Sequence, residues 1–109
     1  MTTKNLGGFE HQVLLAVLRL GGAAHSAPIV LEMEDRGRQS VSPAAVYIAL
    51  RRLERRGLVT SHSRPPEEGE RGRPRRVFAP TPRGLRLLKQ SRETLLRYWQ
   101  GLEPDLERS

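Results

Sequence analysis

Ser42-Pro43-Ala44-Ala45-Val46-Tyr47-Ile48-Ala49-Leu50-Arg51-Arg52-Leu53-Glu54-Arg55-Arg56-Gly57 is the stretch from which the rest of the chain can be read. Ser42 is a good N-cap, and Pro43 sits at the first helical position, where its missing N–H costs nothing. Gly57 ends the run, so the segment predicts one well-bounded helix. Projected at about 100° per residue, Val46, Leu50 and Leu53 form one inward stripe. Opposite them lie Ala44, Ile48, Arg51 and Arg55, with Tyr47 on the shoulder. A solvated helix face usually mixes Glu and Lys. This one carries a small residue, an apolar residue and two arginines, a composition suited to lying in a groove.

Working outward, Leu58 to Ser63 reads as a strand, Arg64 to Arg73 as a turn rich in Pro, Glu and Gly, and Arg75 to Ala79 as the returning strand. Pro80 lacks an N–H and is expected to end that strand early. Thr81-Pro82 repeats the cap-plus-proline signal and launches a last helix from Arg83 to about Leu102, with Pro104 marking its end and the final residues frayed. Upstream, Phe9, Val13, Leu14, Val17, Leu18 and Leu20 recur at helical spacing and stop at Gly21-Gly22. A short second helix is predicted from Ser26 as N-cap, through Ile29, Val30, Leu31 and Met33, to near Gly37.

Charge is concentrated in the same region. Arg51 to Arg86 holds eleven arginines against four acids, while the segments on either side balance, so the whole net charge of +7 lies there. A positive field focused on one helix and one hairpin is the footprint of a surface that sits on phosphates. A membrane surface attracts such patches too, but no stretch approaches the ~20 apolar residues of a span. With 109 residues the chain suits one compact domain, and it has no cysteine for disulfides, thiolate metal sites or thiol nucleophiles. Lys4, the apolar run from Val13 to Leu18 and the small residues after it imitate a secretory signal. Glu10 and Arg19 cut that run short, and a cytoplasmic location is expected.

Helix, helix, helix, two-stranded hairpin, helix is the order of a winged helix-turn-helix domain. The expected class is mainly α with a small β-hairpin, divided into a DNA-binding unit over residues 1–82 and a C-terminal dimerisation helix and tail over 83–109. Specific stretches then match a family. Leu6-Gly7-Gly8-Phe9-Glu10 leads into Val13 to Leu18; Val41 to Tyr47 and Leu50 to Val59 follow; then come Glu70-Arg71-Gly72-Arg73-Pro74-Arg75-Arg76-Val77-Phe78 and Thr81-Pro82-Arg83-Gly84. In that order they resemble the PadR-type transcriptional regulators, in the short form with a single C-terminal helix. The resemblance implies a homodimeric repressor whose third helix enters the major groove and whose wing contacts the flanking backbone.

The residues expected on DNA are Ser42, Ala44, Tyr47, Ile48, Arg51 and Arg55 from the helix, and Arg73, Arg75 and Arg76 from the wing. Arginine's planar fork matches guanine O6/N7 or a phosphate, and a tyrosine or serine hydroxyl reaches a phosphate oxygen. The alternative for Tyr47, Arg51 and Arg55 is a solvated helix face with a Glu54 pairing, and for Arg52 and Arg56, nearer the core stripe, a local salt bridge or a packed stem is an equal alternative. Leu85, Leu88, Arg92, Leu95, Trp99 and Leu102 alternate spacings of three and four, which predicts a self-association seam. Trp99 either fills that seam or, as the resemblance to drug-sensing members implies, stacks on a small planar effector. The rival reading is a winged helix serving as a protein-interaction module for an acidic partner. RNA binding usually calls for stacking platforms, and the chain has only five aromatic residues. Neither the scattered His11, His25 and His62 nor any serine or carboxylate pattern points to catalysis, a metal or a cofactor.

Overall fold

The computed structural model describes residues 6–69 and 71–108. Five helices and a hairpin follow in the order α1 (Gly8–Arg19), α2 (Ser26–Gly37), α3 (Pro43–Arg55), β1 (Val59–Arg64), β2 (Arg75–Pro80), α4 (Pro82–Trp99) and α5 (Glu103–Glu107). The caps act as the sequence requires at the two serine/threonine-proline starts. Ser42 Oγ accepts from the Ala45 N–H at 3.2 Å, and Thr81 Oγ1 accepts from the Gly84 N–H at 3.0 Å. Each such cap stabilises its helix by about 1 kcal/mol.

Val13, Leu14 and Val17 of α1, Ile29 of α2, and Val46, Leu50 and Leu53 of α3 meet in one core, closed from below by Leu58, Val59 and Phe78. Among the described residues no polar or charged residue is buried, so the core is held by apolar burial alone. The turn between α2 and α3 is tied by Glu34 Oε2, which accepts from the Val41 N–H at 3.0 Å. It passes through Arg38 in the left-handed conformation, φ 53°.

The hairpin pairs antiparallel with Val59 opposite Pro80, Ser61 opposite Phe78 and Arg64 opposite Arg75. Phe78 also exchanges backbone hydrogen bonds with Ala24, donating at 2.8 Å and accepting at 3.3 Å. β2 is thus flanked on both sides near its root. Pro80 does not shorten it: the strand runs through Pro80, because a terminal residue facing Val59 loses little by lacking a donor. Three other expectations at element ends are corrected. Ser26 is the first residue of α2, and His25 occupies the cap position without a side-chain hydrogen bond. α4 ends at Trp99, because Gln100 leaves helical geometry and Gly101 takes φ 84°. Pro104 opens α5 instead of closing α4, and the residues expected to fray form that short helix.

These boundaries alter the seam. Leu102 lies beyond α4 and caps α5, so it is off the line that runs from Leu85 to Trp99. Leu88 is buried in the core of its own domain together with Leu87, since the first half of α4 packs back on α1 and β2. No helix among the described residues is long and apolar enough to cross a membrane.

Candidate nucleic-acid interface

Burial of Val46, Ala49, Leu50 and Leu53 leaves the opposite face of α3 in solvent. Ala44, Tyr47, Ile48 and Arg55 are all exposed there, and Ser42 stands exposed at the helix start. The helix rotation divides this face. Arg51 leans toward the hairpin, whereas Ile48, Arg52 and Arg55 line a groove against Gly7, Gly8 and Phe9 at the start of α1. Arg56, left open by its spacing, bridges α3 to α1 through Glu10 at 3.1 Å.

Arg51 is held. Its Nη1 donates to Glu54 Oε1 at 2.8 Å, one helical turn away. The other carboxylate oxygen, Glu54 Oε2, accepts from Ser61 Oγ on β1. Ser61 Oγ in turn accepts from Arg76 Nη1 on β2 at 3.0 Å. The strand period explains this arrangement: Ser61 and Arg76 fall on the hairpin face that meets α3.

Arg64 and Arg75 pair on the opposite face of the hairpin. There they line a cleft with His25, Arg71 and Arg73, in which Glu67 pairs with Arg64 at 3.1 Å. Burial pushes the His25 pKa down, and the charges of Arg75 and then Arg64 push it the same way. Wing arginines therefore project from both faces of one ribbon, two of them toward different neighbours: Arg76 toward α3 and Arg75 toward the α1–α2 loop. Sequence reasoning selected Arg73, Arg75 and Arg76 and offered a Glu54 pairing as the alternative at Arg51, but missed Ser61, Arg64 and His25. The two-residue alternation along β1 carried Ser61 and Arg64.

A second surface lies on the far side. α1 contributes His11, Leu15 and Leu18, and α4 contributes Leu85, Leu88, Arg92, Leu95, Leu96 and Trp99, to one open apolar groove. Leu15, Leu18, Leu95, Leu96 and Trp99 are all exposed. Burial pushes the His11 pKa down. The α1 leucines were absent from the sequence-derived seam, because their exposure depends on how α4 crosses α1. No group of three or more His, Cys, Asp or Glu side chains among the described residues is arranged to hold a metal ion.

Residues 14–90 match the Transcriptional regulator PadR-like family. The fold is similar to that of a PadR family transcriptional regulator from Eggerthella lenta, with 26% identity, 89% of this chain and 82% of that chain covered, and a TM-score of 0.70. It is also similar to F93 from STIV, a winged-helix DNA-binding protein, at 13% identity over 90% of this chain and 98% of that one, with a TM-score of 0.69. BpsR of Bordetella bronchiseptica, whose DNA binding is regulated by 6-hydroxynicotinic acid, aligns at 20% identity over 96% and 74% with a TM-score of 0.64. No protein of curated function matches the sequence.

Proposed function

Because the chain belongs to the PadR-like family of transcriptional regulators, we propose that it is a repressor that binds an inverted-repeat operator as a homodimer. The reading rests on one observation: α3 and the arginine-bearing hairpin lie side by side, and from Arg51 to Arg76 they hold nine arginines against four acids, +5 of the chain's net +7. In this reading α3 enters the major groove. Ala44 and Ile48 give a smooth apolar contact to base edges, Arg51 and Arg55 supply guanidinium forks, and Tyr47 and Ser42 donate to phosphates. Arg73, Arg75 and Arg76 bind the flanking backbone without reading sequence.

Residues 1–82 form the DNA-binding unit, and residues 83–109 supply the dimerisation helix and tail. The dimer contact is the apolar groove between α1 and α4, with Leu85, Leu95 and Trp99 of the expected seam joined by Leu15 and Leu18. A pair of Trp99 rings across the two-fold axis frames a site for a small planar effector, for which the 6-hydroxynicotinic acid that regulates BpsR is a precedent in a similar fold.

The test is binding-site selection from random duplexes, followed by titration of selected and scrambled duplexes over a salt series. Arg51→Ala is expected to cost about 1–3 kcal/mol on the selected site and to relax one position per half-site. Arg75→Ala or Arg76→Ala should weaken all sequences and flatten the salt dependence by about one unit each. Equal affinity of the wild type for selected and scrambled duplexes refutes the proposal.

A further inference from the structure

Arg51 and Arg76 are expected to do different work, one on a base edge and one on the backbone, yet a continuous hydrogen-bonded chain joins them. Arg51 Nη1 donates to Glu54 Oε1 at 2.8 Å, Ser61 Oγ donates to Glu54 Oε2, and Arg76 Nη1 donates to Ser61 Oγ at 3.0 Å. The chain crosses three elements, α3, β1 and β2. Its directions are fixed by chemistry. An ionised carboxylate only accepts, so the single hydroxyl proton of Ser61 goes to Glu54, and the serine lone pair is left for Arg76.

Guanidinium has five N–H donors in a rigid fork. Spending one Nη1 proton on Glu54 leaves the Nη2 and Nε edge of Arg51 free, and that edge presents two parallel N–H donors that can meet guanine O6 and N7. Glu54 therefore holds Arg51 without occupying the edge that would read. Its side chain is 28% exposed and that of Arg51 is 41% exposed, so the pair is partly shielded from water. A carboxylate so close to DNA also repels every phosphate regardless of sequence. Both effects act in one direction, lowering affinity for arbitrary duplex and favouring the sequence that uses the buttressed fork.

We propose that Glu54 is the specificity-determining positioning residue of the interface: it orients Arg51 for base reading, couples it through Ser61 to Arg76 on the wing, and penalises non-specific DNA. The proposal rests on the DNA-binding reading given above and deepens it.

The experiment compares wild type, Glu54→Gln, Glu54→Asp and Ser61→Ala on the selected and a scrambled duplex, with thermal unfolding of each variant as control. Glu54→Gln removes the charge and is expected to bind scrambled duplex about two- to threefold more tightly, the scale of one unit charge acting through water. Its selected-to-scrambled ratio should fall about tenfold, the scale of one lost bidentate contact. Glu54→Asp keeps the charge but is too short to hold both partners, so its scrambled affinity stays at wild type while the ratio falls. In wild type, the factors lost by Arg51→Ala and Arg76→Ala should not multiply in the double variant; in the Ser61→Ala background they should.

If both Glu54 variants change the two affinities by one common factor, the residue is a surface charge or a structural strut, and the proposal is overturned while the DNA-binding reading stands. If the Glu54 variants fail to fold, the Ser61→Ala cycle decides alone, and independent factors in wild type overturn the coupling. A wild type without sequence preference overturns both readings.

Discussion

Replacing Gly84 by alanine should loosen the joint between α4 and the rest of the domain. Gly84 is buried in the first turn of α4, and a Cβ built on it would stand 2.2 Å from the Leu58 carbonyl oxygen, 3.1 Å from its carbon and 3.4 Å from its Cα. All three are backbone atoms, so no side chain can swing aside, and α4 must retreat by roughly an ångström to restore an ordinary contact. The retreat pulls on a compact set of bonds. The Thr81 N–H donates to Leu58 O at 3.0 Å, Thr81 Oγ1 donates to Gly57 O at 2.7 Å, and the same oxygen caps Gly84. Overpacking costs about 1–3 kcal/mol and a lost cap about 1 kcal/mol, against a gain of up to about 1 kcal/mol from alanine's better helix propensity. The net expectation is a loss of about 1–3 kcal/mol, or roughly 5–20 °C in Tm for a domain of this size. Urea unfolding followed by circular dichroism, at one protein concentration because association shifts apparent stability, measures it. Gly8→Ala is the control: nothing lies within 4 Å of its Cβ position, and it should stay within about 0.5 kcal/mol of wild type. A Gly84→Ala protein as stable as wild type would refute the packing argument.

Leu95→Glu combined with Trp99→Glu should give monomers by sedimentation with helical content retained, since both side chains are exposed in the single subunit; a dimeric double variant would move the contact elsewhere. Leu88→Glu, by contrast, should unfold the domain as well as any dimer, because it places a charge in the core. Arg38→Gly should raise stability by about 0.5–1 kcal/mol in denaturant titrations, since φ 53° costs a side-chain-bearing residue more than glycine. His25 and His11 have folded pKa values below the ordinary 6.5, so the unfolded chain binds more protons as the medium is acidified. Their contribution to stability is therefore complete above about pH 6.5 and declines as pH falls through the window just below it. Urea midpoints across that window should lose part of their slope in His25→Gln, and an unchanged slope would count against the partial burial of His25 beside Arg75 and Arg64.

Much of this architecture was legible because a few residues act locally. Ser42-Pro43 and Thr81-Pro82 announce helix starts through backbone chemistry that needs no tertiary context, and the Val46, Leu50, Leu53 stripe fixes which side of α3 faces out. The errors lie where local signals compete. Proline suits the first turn of a helix as well as the residue after one, so Pro104 gave the wrong sign, while Gly101, which breaks α4 through its positive φ, went unread. Leu88 fits a seam by spacing, and only the crossing of α4 over α1 shows that it is consumed by the core. At the interface the arginines were visible as charge. A Glu54 pairing was open from helical spacing, but its link through Ser61 to Arg76 was not, because that link joins α3 to a hairpin whose register is a tertiary outcome.

Ala24 covers β2 only near its root, at Phe78, and the outer side of β1 is an open margin of the sheet along its whole length among the described residues. An unpaired strand margin is a template on which a foreign strand can grow, and a ribbon that protrudes from a small domain is especially vulnerable. Here the margin reads Val59-Thr60-Ser61-His62-Ser63-Arg64, apolar only where it is already buried, and it runs straight into Pro65 and Pro66, which have no N–H to offer. Arg64 and the arginines of the facing strand repel a second copy as well. The charge that is proposed to draw the ribbon to a polyanion thus also opposes the accretion of one molecule's ribbon onto another's at high concentration.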